Sequence, residues 1–308
     1  MTERPPRAIR AHGILDGAER VVELGDAVGG THDPWRPKLV ASDLDGTLLD
    51  ADGLVTSRTR AALDACWEAG IPVVGVTGRG PRLLETVKAA LDHRGIAVLS
   101  QGGFVVDLER DEVLRAVALP RDRAVRVIEQ IEQAAGEVTL AVEEAAEQGQ
   151  VHARLRVQHG FDWPYPEPSQ LLERGEVLPP GAVLKVFLRS ATLDQDELLA
   201  RARSVVDPAD AELTHAGLGF IEVLPPGITK ASGLQLALDR YGVGFGDVLV
   251  FGDMPNDLPM LSAVQDAGGR AVAVANAHPS VRALAGHLTS GHQVDGVARY
   301  LEAVLRDV

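Results

Sequence analysis

Four short segments hold side chains suited to phosphoryl chemistry. The first is Asp43-Leu44-Asp45-Gly46-Thr47, with two carboxylates two residues apart on a glycine-containing loop. Beside a phosphoryl group held by a divalent cation, an ionised Asp43 can attack phosphorus and form an aspartyl-phosphate. Asp45 can protonate the leaving oxygen and then deprotonate the water that hydrolyses the intermediate. Gly46 lets backbone N–H groups approach phosphate oxygens, which makes Leu44 and Gly46 candidate phosphate-binding positions. The second segment is Val76-Thr77-Gly78-Arg79, where the Thr77 hydroxyl and the Gly78 N–H can donate to one phosphoryl oxygen. The third is Lys230, in Pro226-Gly227-Ile228-Thr229-Lys230-Ala231-Ser232-Gly233. A cation at a helix start opposes the helix dipole, and makes sense if both face an anion. The fourth is Phe251-Gly252-Asp253-Met254-Pro255-Asn256-Asp257. Its two carboxylates and amide are hard oxygen ligands suited to magnesium.

Taken singly, each segment also reads as a polar turn or an exposed lysine. The elements around them argue for more. Leu39-Val40-Ala41 is an apolar run leading into the first segment, as a buried strand ends in a loop. Thr56 or Ser57 can cap a helix to about Ala69, stopped by Gly70. A strand at Ile71–Val76, a helix at Pro81–Leu91 and a strand at Ile96–Leu99 follow. This alternation predicts a parallel sheet with crossover helices, whose ligands bind beyond the strands' carboxyl ends. The rhythm returns late with a helix at Thr229–Tyr241 and buried strands at Val248–Phe251 and Ala271–Val274. All four segments then fall at one sheet edge, and together supply what in-line phosphoryl transfer needs.

The middle of the chain lacks this rhythm. A helix at Arg121–Ala135 precedes strand-like pieces at Val138–Val142, Val151–Val157, Val183–Leu188, Glu212–His215 and Gly219–Leu224. A proline-rich loop at 163–168 and a helix at Leu193–Val206 lie between them. The mixture predicts a separate α+β domain inserted into the first. Residues 1–37 read as an N-terminal extension, with a short amphipathic helix possible over Ile14–Val28.

With 30 basic against 44 acidic residues, the chain carries a net charge of −14. That field repels nucleic acid and anionic membrane. No apolar run approaches a membrane span, and the first residues lack a secretory signal, so a cytoplasmic location is the expectation. The lone Cys66 sits in the first helix as a small apolar residue. A competing reading takes Gly75, Gly78 and Gly80 as a dinucleotide-binding turn. That turn wants an acidic residue after the next strand, which here ends in Ser100-Gln101.

With these motifs in this order, the chain from about residue 38 onward resembles the haloacid dehalogenase superfamily, in its Cof-type phosphatase branch. The resemblance implies an α/β fold with a Rossmann-like parallel sheet core (38–118 and 218–308) and a mobile inserted α+β cap domain at 119–217. It implies a Mg2+ cofactor held by the Asp43 carboxylate, the Asp45 backbone carbonyl and Asp253. Asp257 would support that shell and Asn256 would reach the phosphate. The stretches Ala275–Val281 and Asp295–Ala298 look like the branch's usual ending. Ser100-Gln101-Gly102-Gly103 departs from the Asn-Gly pair common in relatives, and Met254-Pro255 is less usual. The expected partner is a small phosphorylated metabolite, a sugar phosphate above all. Arg154, Arg156, His159 and Lys185 are candidate cap contacts to it. A phosphotransferase or mutase using the same aspartyl-phosphate, and a non-catalytic binding module, are the alternatives.

Overall fold

The computed structural model describes residues 22–23, 35–145, 154–165, 169–216 and 218–306. The first part of the chain forms β1 (Val22–Glu23), β2 (Leu39–Ser42), α1 (Ser57–Glu68), β3 (Val73–Val76), α2 (Leu84–Ala90), β4 (Ile96–Leu99), β5 (Phe104–Asp107) and β6 (Glu112–Ala116). A middle part follows, with α3 (Arg121–Ala135), β7 (Val138–Glu144), β8 (Leu155–Gln158), β9 (Gln170–Leu172), α4 (Arg174–Val177), β10 (Val183–Ser190), α5 (Gln195–Val205), β11 (Glu212–His215) and β12 (Ile221–Leu224). The last part holds α6 (Lys230–Tyr241), β13 (Val248–Gly252), α7 (Leu258–Asp266), β14 (Arg270–Val274), α8 (Pro279–Leu284), β15 (His287–Thr289) and α9 (Gly296–Leu305).

Among the described residues the outer parts share one nine-stranded sheet, ordered β1-β15-β14-β13-β2-β3-β4-β5-β6. Pairing is parallel from β1 to β4, and antiparallel through β5 and β6. Strands β2, β3, β4 and β13 are buried along their whole length, as near-continuous apolar runs covered on both faces require. The order reverses at β2, which lies between β13 and β3. That reversal opens a crevice beyond its carboxyl end, where the Asp43 loop begins. Of the helix considered for 14–28, only Val22 and Glu23 are among the described residues. They pair instead as an edge strand with His287 and Leu288, whose backbone groups would otherwise face an open edge. Cys66 is fully buried, and burial pushes its thiol up to about 12.

The middle part forms a second sheet, ordered β11-β12-β10-β7-β8-β9, antiparallel except for β8 and β9. Its strands alternate. Leu140, Val142, Val186, Leu188, Ile221 and Val223 pack on α3 and α5, while Ala141, Phe187 and the adjoining Phe220 belong to an aromatic cluster on the opposite face. The inserted unit is therefore an α+β layer pair, as the irregular rhythm predicts. Gly217, its expected end, lies outside the described residues. Beyond it, β12 still pairs with both β10 and β11 in this sheet.

One close approach fixes the site helix. Thr229 caps α6 by accepting from the Ser232 N–H, while the Ser232 hydroxyl accepts from the Thr229 N–H. The first turn then presses on β4 through two glycines. A Cβ on Gly233 would lie 2.4 Å from Val98 Cγ1 and 2.6 Å from the Gly102 Cα. Gly233→Ala must push α6 outward and carry Lys230 with it. The expected result is a loss of about 1–3 kcal/mol in urea unfolding, together with a fall in kcat. Unchanged stability and turnover would show that the docking tolerates a methyl group.

Candidate active site

Asp43 follows β2 directly, and its N–H donates to the carbonyl of Phe251 in β13. The backbone turns sharply after it. Gly46 has φ of +77°, and a Cβ there would lie 2.5 Å from Asp253 Oδ2. Only glycine admits both that conformation and that carboxylate. Asn276, from the loop after β14, donates its Nδ2 to the Gly46 carbonyl and holds the turn. Leu44 turns its side chain into the core, fully buried, so the loop offers only its backbone at that position.

Lys230, 1% exposed, donates to Asp43 Oδ1 at 2.6 Å and to Asp257 Oδ1 at 2.5 Å. It is therefore not a surface lysine. Its helix-start position is compensated by two carboxylates from different loops. Burial lowers its tendency to hold a proton, but Asp257 and Asp43 outweigh this and hold it firmly protonated. Asp257 Oδ2 accepts from the N–H groups of Asp253 and Met254, which folds the fourth segment back on itself. Thr47 donates to Asp253 Oδ1 at 3.0 Å.

Single oxygens of Asp43, Asp253 and Asp257 lie within 4.8 Å of one another. Three carboxylates face one lysine. Burial, only partly offset by Lys230, raises the Asp43 carboxyl well above its ordinary value. Burial and the Asp257 charge lift Asp253 to about 6. This excess of negative charge on hard oxygen donors fits a divalent cation of the magnesium type.

The other predicted residues meet the same crevice. Asp43, Asp45, Thr77, Gly78 and Asn256 all line one cavity of about 710 Å³. The Asp45 carboxylate takes both arms of Arg79, at 2.8 Å from Nε and 2.6 Å from Nη2. Thr77 Oγ1 accepts from the Arg79 N–H and shapes its turn. Asn256 donates to Gln101 Oε1 at 3.3 Å. The dinucleotide reading does not suit this crevice, because the Gln101 amide lies 2.8 Å from where a Gly78 Cβ would be.

Among the cap candidates, only Lys185 reaches the cavity. Arg156 instead ties β8 to α4, donating to Glu144 Oε1 and to the carbonyls of Val177 and Glu176. Arg154 and His159 are exposed and do not line it. Sequence reasoning missed the partners of Lys185. Its Nζ donates to Glu222 Oε1 at 2.5 Å and to the Gly78 carbonyl at 2.6 Å. Glu222 Oε2 accepts from Gln101 Nε2 at 2.7 Å. A buried clasp thus joins the inserted sheet to the loops after β3 and β4, and through Gln101 to Asn256. Gln101 was visible only as a departure from a motif. Its φ of +58° turns the side chain across the interface.

Lys185→Met strands the Glu222 charge in this interface. The expected cost is about 3–5 kcal/mol in chemical unfolding, and the double variant Lys185→Met with Glu222→Leu should recover much of it. A double variant no better than the single one would show that the pair carries no buried-charge penalty.

The chain matches the family model of haloacid dehalogenase-like hydrolases over residues 40–301. It is 30% identical to the HMP-PP phosphatase of Serratia proteamaculans, across 87% of this chain and 96% of that protein. It is 24% identical to the 5-amino-6-(5-phospho-D-ribitylamino)uracil phosphatase YwtE of Bacillus subtilis, across 87% of this chain and 98% of that one. Among solved structures, SMU.1108c from Streptococcus mutans superposes with a TM-score of 0.74 at 21% identity, covering 88% of this chain and 99% of that one. Among the described residues, no helix is long and apolar enough to cross a membrane.

Proposed function

The chain belongs to the haloacid dehalogenase-like hydrolases as a Cof-type phosphatase acting on phosphoric monoesters, and from that premise we propose a magnesium-dependent hydrolysis through an aspartyl-phosphate on Asp43. The observation that carries this reading is the buried Lys230, which bridges Asp43 and Asp257 beside Asp253. A lysine held there lowers the cost of ionising Asp43, against the burial that favours its protonated form. An Asp43 oxygen attacks phosphorus as the ester P–O bond breaks, and Asp45, parted from Arg79 and protonated, gives that proton to the leaving oxygen. Water then attacks the phosphoryl group, Asp45 takes its proton, and phosphate leaves. Thr77, Gly78 and Asn256, with the Leu44–Gly46 backbone, are the proposed phosphoryl contacts. Mg2+, held by Asp43, the Asp45 carbonyl and Asp253 with Asp257 in support, would neutralise the phosphoryl oxygens.

Purified protein with p-nitrophenyl phosphate and Mg2+ should release phosphate, and EDTA should stop it. Activity in EDTA would end the metal-dependent reading. Ligation needs the ionised form of Asp253, whose carboxyl holds its proton up to about pH 6. The rise in Tm on adding Mg2+ should therefore be small at pH 5 and large at pH 7.5. Equal rises at both values would contradict this ligand assignment.

A further inference from the structure

Asn256 ends in an amide, and an amide has two faces. Its NH2 attracts a phosphoryl oxygen, while its carbonyl oxygen repels one. A neighbour must fix which of them meets the substrate. Among the described residues, Asn256 Oδ1 is shielded from solvent and has no hydrogen-bond partner, so nothing on that side orients the group. The other side is held, because Nδ2 donates to Gln101 Oε1 at 3.3 Å.

Gln101 is also an amide, so the same question passes to it. Its backbone is pinned. Its N–H donates to the Thr77 carbonyl at 3.2 Å, and its φ is +58°. The next residue, Gly102, lies so close to α6 that a Cβ there would fall 2.3 Å from the Thr229 carbonyl oxygen. Only the terminal amide of Gln101, a residue 2% exposed, is left to turn. Its Nε2 donates to Glu222 Oε2 at 2.7 Å. A carboxylate can only accept, so it admits the NH2 of Gln101 and refuses the carbonyl. The Lys185 ammonium, which can only donate, holds the other oxygen of Glu222 at 2.5 Å. Gln101 Oε1 is thereby turned to Asn256, where it too can only accept. Asn256 then presents its NH2, with one hydrogen spent on Gln101 and one left for phosphate. Resting on the phosphoryl role proposed for Asn256, we infer that Gln101 is a positioning residue, which carries the direction set by Glu222 in the inserted sheet to the Asn256 amide and so makes Asn256 a phosphate donor.

The test measures the binding of inorganic phosphate by calorimetry with Mg2+, beside kcat and KM for p-nitrophenyl phosphate. Glu222→Gln reverses the chain. Lys185 keeps the new carbonyl, the new NH2 faces Gln101, and Gln101 turns its own NH2 toward Asn256. Gln101→Glu instead sets two carboxylates against each other. Each single variant should weaken phosphate binding by about tenfold or more and raise KM, while the Tm rise given by Mg2+ alone stays parental. Where Gln101→Glu fails to fold, Glu222→Gln reads the same step without a new charge. The exchanged pair, Gln101→Glu with Glu222→Gln, again places an acceptor-only group beside Asn256 and should bring phosphate affinity back to within about threefold of the parent. Asn256→Ala should lose as much as either single variant, and adding Glu222→Gln to it should cost nothing more, although the two residues do not touch. An exchanged pair no better than Glu222→Gln alone, or losses that add in full, would overturn the inference. So would single variants that lose stability and keep parental phosphate affinity. Turnover by the parent, with phosphate affinity unchanged in every variant, sinks the relay and leaves the phosphatase standing. A parent that neither binds phosphate nor hydrolyses the ester ends both.

Discussion

Asp43→Asn should lose at least about four orders of magnitude in kcat while the protein stays folded. The amide keeps the shape of the carboxyl and can still accept from Lys230, but it is a far poorer nucleophile. Stability should move the other way. Burial raises the Asp43 carboxyl well above its ordinary value, so the folded state pays to ionise it. The folded protein holds that proton where the unfolded chain has lost it. The group's stabilising contribution is therefore full below the unfolded value and lost as pH rises through the folded one. Removing the charge relieves this cost, so metal-free Asp43→Asn should unfold at the same or a higher temperature than the parent at pH 7.5. A variant that is both inactive and much less stable would point to a structural aspartate.

Lys230→Met should be nearly as damaging, and in a different way. It removes the cation that bridges Asp43 and Asp257, and leaves three carboxylates crowded in a largely buried site. Turnover should fall by about 100- to 1000-fold, as expected for losing a preorganised charge at a reacting centre. Unfolding free energy in the absence of metal should fall by about 3–5 kcal/mol at pH 8, the cost of leaving a buried charge unpaired. Without the lysine, Asp43 and Asp253 hold their protons to still higher pH, so the loss should be smaller at pH 5. Urea titrations at the two pH values check this. An equal loss at both would mean that packing of the four-carbon stem, and not its charge, is what the site uses.

These expectations rest on residues whose convergence was largely legible in the sequence. Each chemical segment follows a short, wholly apolar strand or starts a capped helix, and parallel sheets bring such ends to one edge. The β2, β3 and β13 runs announce themselves because both faces are covered. The β5–β6 pair was not read: Phe104–Asp107 is short, and β6 is mostly exposed, so neither shows a clean alternation. The clasp was illegible for a better reason. Glu143, Lys185 and Glu222 lie among apolar neighbours with the period of a sheet whose polar face meets water. Nothing in that pattern says that the loops after β3 and β4 cover it instead. Gln101 looked like a missing asparagine, though its longer amide reaches Glu222. Trp163, which lines the same cavity, stood in a proline-rich loop, where no periodicity assigns a side chain to a face. Residues 166–168 of that loop lie outside the described residues.

The claim beneath all of this is that phosphorus becomes bonded to one particular carboxylate. An Asp45→Asn protein, deprived of the base for the second step, can be mixed with p-nitrophenyl phosphate and Mg2+, quenched in acid and reduced with borohydride. Peptide mass mapping should then find homoserine in place of aspartate at Asp43, and nowhere else. Reduction at a different residue, or phosphate release by the parent enzyme with Asp43 unmodified throughout, would contradict the account.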